Sequence, residues 1–318
     1  MTAPAPESFI GVDLGGTQLR AARVDAAGGV QEVLRVATDR GGGPEAVIAQ
    51  IDTLVQRLRQ PGTVGIGVGV PCALDGATGI VPNIPALPGW DGIPLAGRLA
   101  ERSGMPTLIE NDAKVATLAE WKLGAGRDVR NFVFVTVSTG IGGGVVVDGI
   151  LVRGFGGLAG EVGHIKIADH TAPCSCGRQG CWEAIASGTA LARHAGDAVC
   201  ARPHSHLAQM TQGRAPTGEQ VHTAALAGCA VALEVLAAEA EYLGWGFANI
   251  QHVYSPELIV VGGGVAQALD LMTEGINRSM RARLLPSFPL ARICQAQLGD
   301  DAGLLGAAML AFHTYQDA

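Results

Sequence analysis

Residues 8–25, SFIGVDLGGTQLRAARVD, decide the fold, because they read as a strand, a glycine turn and a second strand. The first run is apolar and rich in residues that favour strands, and small or apolar residues still predominate after the turn at Gly15, Gly16 and Thr17. A dinucleotide fingerprint or a P-loop would continue as a helix directly after the glycines, and neither GxGxxG nor GKS/GKT is present. The stretch therefore predicts a β-hairpin.

The same pattern returns much later in the chain. Residues 131–154, NFVFVTVSTGIGGGVVVDGILVRG, again read as strand, glycine-rich turn and strand. Each hairpin opens a series of strands and helices, the first of which includes the amphipathic stretch GPEAVIAQIDTLVQRLRQ at 43–60. This repetition predicts a duplicated α/β architecture with a cleft between its halves. Residues 195–220 carry less pattern and are predicted to form a variable helical insert or a loop.

Composition excludes several classes of function. The chain has 318 residues, 48% hydrophobic and 16% charged, which is enough for a large core and favours two domains. A net charge of −7 and the lack of any Lys/Arg block argue against nucleic-acid binding. The start MTAPAPES has no signal-peptide pattern, and no apolar run reaches the ~20 residues of a membrane span. We therefore expect a cytoplasmic protein in which seven cysteines do not form a disulfide framework.

The glycine turns suggest phosphate binding. Gly15, Gly16 and Thr17 would present backbone N–H groups and one hydroxyl to the terminal phosphates of a nucleotide. Asp13, just before them, would hold Mg²⁺ through water. A plain glycine-rich turn explains the first motif equally well, but a second such turn at 138–144 favours the nucleotide. A later run of glycines would let an adenine or ribose lie on bare backbone, at Gly262, Gly263 and Gly264.

Two further stretches carry polar groups suited to chemistry. In residues 110–125, ENDAKVATLAEWKLGA, Asn111 and Asp112 are predicted to lie at the cap and first turn of a helix. A simple helix cap is the alternative, although it does not explain the neighbouring Glu110. In residues 163–183, GHIKIADHTAPCSCGRQGCWE, three cysteines and a histidine leave a disulfide, a metal site and reactive thiols as possibilities.

The order and spacing of six motifs resemble the ROK family of sugar kinases and sugar-responsive repressors, in the actin, hexokinase and heat-shock-ATPase superfamily. The motifs are DLGGTQLRAARVD, ENDAKVATLAEW, STGIGGGVVVDG, GLAGEVGH, CSCGRQGCWE and IVVGGGV. The resemblance runs from Phe9 to the last helix. It implies a duplicated actin-like (ribonuclease-H-like) fold, with two domains around a nucleotide and sugar cleft. We place these at 1–111 and 112–318, with the last helix, about 301–318, packing back on the first domain.

The resemblance implies transfer of the γ-phosphate of ATP to a hexose hydroxyl. Asp112 matches the family's catalytic base, and Asn111 matches a residue that bonds a sugar hydroxyl. Further sugar-contacting positions match Glu161, His164 and Glu183, with Asn83 as a weaker candidate; Trp90 nearby can equally belong to the core. On the nucleotide side, the resemblance adds Thr139 and Gly140 to the glycines named above.

The cysteine motif resembles the zinc element of the family. His164, Cys174, Cys176 and Cys181 form a Cys₃His set, which suits a closed tetrahedral Zn²⁺. Thiol catalysis would need a base and a lowered pKa, and it would explain one cysteine rather than three. Ser175 stands where many members carry glycine, and we expect no loss of metal from it. The other four cysteines are predicted to be small buried residues: Cys72, Cys200, Cys229 and Cys294.

Alternatives within and beyond the family remain. A repressor would need a helix-turn-helix domain before the first hairpin, where only MTAPAPE stands, and a non-catalytic sensor would be expected to lose Asp112 or a phosphate turn. Glucose is the first choice of substrate, because NIPALPGWDGIPL and ENDAKVATLAEWKLGAGR resemble the family's glucokinases. N-acetylglucosamine or N-acetylmannosamine kinase is the alternative, and fructokinase is less favoured. The expected partners are hexose and ATP, without nucleic acid or membrane, in a homodimer or homotetramer.

Overall fold

The structure is a computed structural model that describes residues 7–316, with side chains as far as Phe312. Residues 1–6, which form most of the start MTAPAPES, lie outside this range, and so do residues 317–318 of the predicted last helix. The chain divides into two units. Unit 1 comprises the residues up to Arg127, Val152–Ala159 and those from Asp300 onward, and unit 2 comprises Asp128–Leu151 and Gly160–Gly299.

Unit 1 is built on a five-stranded sheet of order β3-β2-β1-β4-β7. Its first three strands form an antiparallel meander, and β1, β4 and β7 are parallel. The elements are β1 (Ser8–Leu14), β2 (Gln18–Asp25), β3 (Val30–Ala37), α1 (Gly43–Leu58), β4 (Thr63–Val70), β5 (Val81–Asn83), β6 (Asp91–Ile93), α2 (Leu95–Ser103), β7 (Thr107–Asn111), α3 (Asp112–Lys122) and α10 (Ala302–Gln316). A separate two-stranded sheet pairs β5 with β6.

The alternation of side chains along β1 explains how both faces of this sheet are covered. Ile10, Val12 and Leu14 lie in the main core cluster together with the buried face of α1. Phe9 points to the opposite face, where its ring meets that of Phe312 on α10, 5.2 Å between centroids. A β-carbon on Gly11 would collide with the α10 backbone, so that helix lies directly on the strand.

Helix α10 also packs against α3, which places α3 in unit 1. The two helices touch so closely that a β-carbon on Gly306 would overlap the carbonyl of Val115. The predicted boundary before Asp112 lies inside unit 1, which continues past α3 to Arg127. The reason is physical: the apolar α10, which follows unit 2 in the sequence, supplies the surface on which α3 is buried.

Unit 2 repeats the plan with a five-stranded sheet of order β10-β9-β8-β11-β12. Again three antiparallel strands are followed by two parallel ones. The elements are β8 (Phe132–Val137), β9 (Ile141–Val147), β10 (Ile150–Leu151), α4 (Trp182–Ala186), α5 (Gly188–Ala201), α6 (His206–Thr211), α7 (Gly218–Leu226), α8 (Ala230–Tyr254), β11 (Leu258–Gly262), α9 (Leu269–Arg281) and β12 (Arg292–Gln295). The shared strand order confirms the predicted duplicated α/β architecture.

Two local expectations are refined. The insert at 195–220 is mostly helical, since it contains the end of α5, all of α6 and the start of α7. Of the four cysteines predicted to be buried, Cys229 is buried, Cys72 and Cys294 are half-buried, and Cys200 is exposed, so the prediction was wrong for Cys200.

Among residues 7–316, no single helix is long and apolar enough to cross a membrane. Helices α7 and α8 reach the required length and apolarity only as a pair, and that pair is bent by 120°.

Candidate active site

Asp112 begins α3 directly after the last residue of β7. Its Oδ1 accepts hydrogen bonds from the backbone N–H of Ala113 at 2.7 Å and from Nδ2 of Asn111 at 3.0 Å. Asn111 is the predicted N-cap, because its Oδ1 accepts from the N–H of Lys114 at 3.1 Å. The carboxylate is thus half-buried at a helix N-terminus and oriented by two donors.

A buried ion network lies behind this carboxylate. Glu110 and Lys114 are each 2% exposed, with 3.9 Å between Oε1 and Nζ. The ammonium also donates to the carbonyl of Gly157, and Nε of Arg153 donates to Glu110 Oε2 at 3.0 Å. The network therefore fixes segment Val152–Ala159 against the start of α3. Glu110 stood out in the sequence, but nothing there linked Lys114 to Arg153, because the contact joins residues far apart in the chain.

The first glycine turn joins β1 to β2. The Gly15 N–H donates to the Gln18 carbonyl at 2.9 Å, and the Thr38 hydroxyl donates to the Gly15 carbonyl at 2.8 Å. Asp13 lies on β1, separated from the turn by Leu14, and is paired across the strands with Arg20. The Arg20 Nε donates to Asp13 Oδ2 at 3.1 Å. Asp13 is thus already charge-compensated, a contact that the sequence analysis did not anticipate.

The second glycine turn joins β8 to β9 and is backed by the start of α5. The Ser138 N–H donates to the Gly140 carbonyl at 2.9 Å. The Gly188 N–H donates to the Ser138 carbonyl at 2.7 Å, and the Thr189 hydroxyl donates to the Thr139 carbonyl at 2.7 Å. These bonds fix the turn by its carbonyl groups.

A cavity of about 910 Å³ opens beside this turn, entirely within unit 2. Its wall brings together the predicted Thr139 and Gly264, whereas Gly140, Gly262 and Gly263 are not part of the lining. The structure adds a wall that sequence reasoning missed: residues 215–219 and 222–223, from the insert and α7. The volume suits a drug-sized ligand.

The glycine run after β11 has a different requirement at each position. Gly262 lies against the ring of Phe134, and Gly263 has φ of 83° and lies against the carbonyl of Val137. Neither position accommodates a β-carbon without a shift. Gly264, by contrast, would have open space around a β-carbon and lines the cavity.

The His164, Cys174, Cys176 and Cys181 side chains form one cluster in which all ligand atoms lie within 4.8 Å of one another. The Cys176 and Cys181 sulfurs are 3.7 Å apart, and Cys174 Sγ is 3.4 Å from His164 Nδ1. Zinc–sulfur bonds of about 2.3 Å in a tetrahedron require sulfurs about 3.8 Å apart and slightly shorter sulfur–nitrogen separations. The donor set therefore fits a tetrahedral metal ion.

The pKa values of two cysteines in this cluster also favour a bound metal ion. Burial raises the pKa of the Cys174 thiol, and burial together with the neighbouring thiols raises the pKa of Cys181 to about 12. Three thiolates at this spacing would repel one another, so a cation is needed to hold them deprotonated.

Of the three sugar candidates in unit 2, His164 belongs to this cluster, and Glu161 and Glu183 lie beside it. His164 turns Nδ1 toward Cys174 and leaves Nε2 4.0 Å from Glu161 Oε2. Glu183 Oε1 lies 3.6 Å from Cys174 Sγ, and its Oε2 accepts the Ile141 N–H at 3.1 Å. The cluster thus has the Glu161 carboxylate beside its histidine and the Glu183 carboxylate beside one of its cysteines.

The remaining candidates lie in the β5–β6 region of unit 1. Asn83 ends β5 with an exposed side chain, opposite Asp91 of β6. Trp90 is 2% exposed and belongs to the main hydrophobic cluster, so it is a core residue.

Comparison with known proteins places this geometry in a family. The ROK family profile matches residues 9–314. The chain is 36% identical to the glucokinase of Halalkalibacterium halodurans over 311 residues, covering 95% of this chain and 94% of that one. It is also 36% identical to the N-acetylmannosamine kinase of Citrobacter koseri over 307 residues, covering 96% and 98%. A crystal structure of a ROK family glucokinase from Streptomyces griseus with glucose and AMPPNP superposes with a TM-score of 0.83, at 34% identity over 96% of this chain and 99% of that one. The resemblance seen in the sequence is therefore confirmed, and the chain belongs to the ROK family.

Proposed function

We propose that this protein is an ATP-dependent glucokinase that transfers the γ-phosphoryl group to the 6-hydroxyl of glucose. The observation that carries the proposal is the Asp112 carboxylate, oriented at the start of α3 by Asn111 and the Ala113 N–H. It occurs in a chain whose relatives of 36% identity include a glucokinase and an N-acetylmannosamine kinase.

In the proposed reaction, Asp112 accepts the proton of the sugar 6-hydroxyl. The hydroxyl oxygen forms a bond to the γ-phosphorus as the bond from that phosphorus to the β–γ bridging oxygen breaks, which releases ADP. Because Asp112 Oδ1 is held by two donors, the carboxylate is oriented before the sugar binds. Such orientation and a positioned base are the main contributions a protein makes to phosphoryl transfer.

For sugar recognition we propose Asn83, Asn111, Glu161, His164 and Glu183. Carboxylates and amides match vicinal hydroxyls, which both donate and accept. The metal cluster supports two of these assignments, because a Zn²⁺ ion on His164 Nδ1 would leave Nε2 to face the sugar beside Glu161. When bound, zinc would act structurally, as its four protein ligands leave no position for a substrate.

For the nucleotide we propose the two glycine turns, with the adenosine in the unit 2 cavity beside Thr139 and Gly264. A cavity of this size next to a turn rich in N–H groups suits a nucleoside triphosphate. Asp13 is proposed to hold Mg²⁺ through water, with its carboxylate oriented by Arg20. When bound, Mg²⁺ would neutralise charge on the transferred phosphate.

A substrate panel, measured by coupled ADP release, tests the choice of sugar. We expect glucose to give the highest kcat/KM. N-acetylmannosamine kinase is the second candidate, since relatives of that activity reach the same identity. A preference of about tenfold or more for an N-acetylated hexosamine, equal to about 1.4 kcal/mol, would overturn the choice of glucose.

The variant Asp112→Asn tests the base. Its carbonyl oxygen can keep both hydrogen bonds to Oδ1, but an amide cannot accept the proton, so kcat should fall about 10²- to 10⁴-fold. Glucose affinity, measured calorimetrically, should stay nearly unchanged. Asp270→Asn is the matched control, because it removes an exposed carboxylate from the first turn of α9. Turnover close to wild type in Asp112→Asn would refute the assignment.

Assembly and location stay predictions. We expect a homodimer or homotetramer, which analytical ultracentrifugation would test, and a cytoplasmic protein that binds neither nucleic acid nor membrane.

A further inference from the structure

The side chain of Ser175 contacts Glu183, which its position in the cysteine motif did not predict. Its hydroxyl donates to Glu183 Oε1 at 2.8 Å. Ser175 stands between two of the clustered cysteines, at a place where the sequence resemblance favours glycine, and a glycine would lack this donor. The contact is therefore a property of this chain rather than a requirement of the metal cluster.

Glu183 is held from three directions. Its neighbour Cys181 belongs to the metal cluster, and the fully buried Trp182 anchors α4 by donating from Nε1 to the Tyr242 carbonyl at 3.0 Å. Its Oε2 accepts the Ile141 N–H at 3.1 Å. These contacts fix the backbone of Glu183 and one carboxylate oxygen, and Ser175 fixes the other oxygen.

The Glu183 carboxylate lies tightly against the second glycine turn. A β-carbon on Gly140 would overlap Oε2 of Glu183, so a larger residue at position 140 would displace the carboxylate from this position. The Ile141 N–H and the backbone of Gly140 thus restrict the position of Oε2. On the other side of the carboxylate, Oε1 accepts the Ser175 hydroxyl at 2.8 Å and lies 3.6 Å from Cys174 Sγ.

We propose that Ser175 is a positioning residue for sugar binding, acting through Glu183. This rests on the proposed function, in which Glu183 contacts the sugar. A glutamate side chain loses rotamer entropy when it is immobilised. A carboxylate held before the ligand arrives avoids part of that loss on binding. Ser175 thereby raises sugar affinity without touching the reacting atoms.

Calorimetric titration with glucose, on protein whose zinc content is measured, tests this. Ser175→Ala should weaken glucose binding about three- to tenfold, as expected for the net contribution of one solvent-exposed hydrogen bond. It should raise the glucose KM more than it lowers kcat, and it should leave zinc content unchanged. Ser175→Thr, which keeps the hydroxyl, should restore affinity to within about twofold. Gln179→Ala, an exposed change in the same loop, should match the wild type.

A double-mutant cycle separates this inference from the proposed function. If Ser175 acts through Glu183, adding Ser175→Ala to Glu183→Gln should weaken binding little further. Full additivity, or wild-type affinity in zinc-loaded Ser175→Ala, would overturn the role of Ser175 while leaving a working glucokinase. If the wild type neither binds nor phosphorylates glucose, the proposed function itself fails.

Discussion

Glu239 makes stability depend on pH in a direction opposite to that of most carboxyl groups. It lies on α8, fully buried, and within the described residues neither carboxylate oxygen has a hydrogen-bond partner. Burial raises the pKa of Glu239 from 4.5 to about 8, although the charge of Arg193 opposes the shift. The folded protein therefore holds this group protonated at neutral pH, whereas the unfolded chain ionises it.

The sign and size follow from proton linkage. The raised folded pKa means that stability is fully present below pH 4.5, falls as pH rises, and levels off above about pH 8. At about 1.36 kcal/mol per pH unit, this group removes about 1 kcal/mol by pH 5 and roughly 4 kcal/mol by pH 8. Glu239→Gln cannot ionise, so the variant lacks this loss. Any fixed difference caused by burying an amide is the same at both pH values.

The assay is urea unfolding of wild type and Glu239→Gln at pH 5 and pH 8. Relative to wild type, the variant should gain roughly 3 kcal/mol more at pH 8 than at pH 5. Glu241→Gln is the control: its carboxylate, two residues further along α8, is more than half exposed, and its effect should stay within about 0.5 kcal/mol at both pH values. An equal effect of Glu239→Gln at pH 5 and pH 8 would refute the raised pKa.

Two further predictions concern the metal cluster and the cavity. Cys176→Ala should lose bound zinc, melt at lower temperature and raise the glucose KM together; a folded, zinc-free variant with an unchanged glucose KM would contradict the assigned role of the cluster. Gly264→Ala should fold normally, because a β-carbon there meets nothing within 4 Å, yet it should raise the ATP KM several-fold by occupying the cavity. Gly97→Ala, with equally open space but on α2, should leave the ATP KM unchanged, and equal effects of both changes would argue against the nucleoside position.

The features predictable from sequence were those encoded locally. The two hairpins follow from strand pattern and glycine turns, and the Asn111 cap follows from its own side chain and the helix after it. The four metal-cluster residues are also local, since all lie within one short stretch, and the structure brings them together. At these places the residues that form the feature are close together in the sequence, so their local pattern was enough to predict the structure.

Features that depend on contacts across the chain were not predictable. The Arg153 contact with Glu110 and the insert residues that line the cavity join distant segments. The return of the last helix to the first domain was predicted from the family resemblance, but its packing on α3 was not. The sequence of the insert lacks a strong apolar period, so its helices gave little signal, although its capping box at Thr217 and Gln220 marks the start of α7. Exposure of Cys200 was also missed: it lies on the outward face of α5 with Arg193 and Asp197, whereas its neighbour Val199 is buried.

A metal bound at the cluster would explain how a loop with little core holds the proposed sugar-binding residues firmly. Between His164 and Cys181 most side chains are exposed, and the buried apolar cluster here consists of Ala172, Cys174, Cys181 and Ala184. Burial of such small side chains contributes little free energy, so a bound metal would supply much of the folding energy of the loop. If Glu183 and His164 bind the sugar as proposed, sugar affinity depends on zinc through loop order alone. Ser175 then adds the last constraint, because the metal fixes the backbone while only a hydrogen bond can fix the carboxylate.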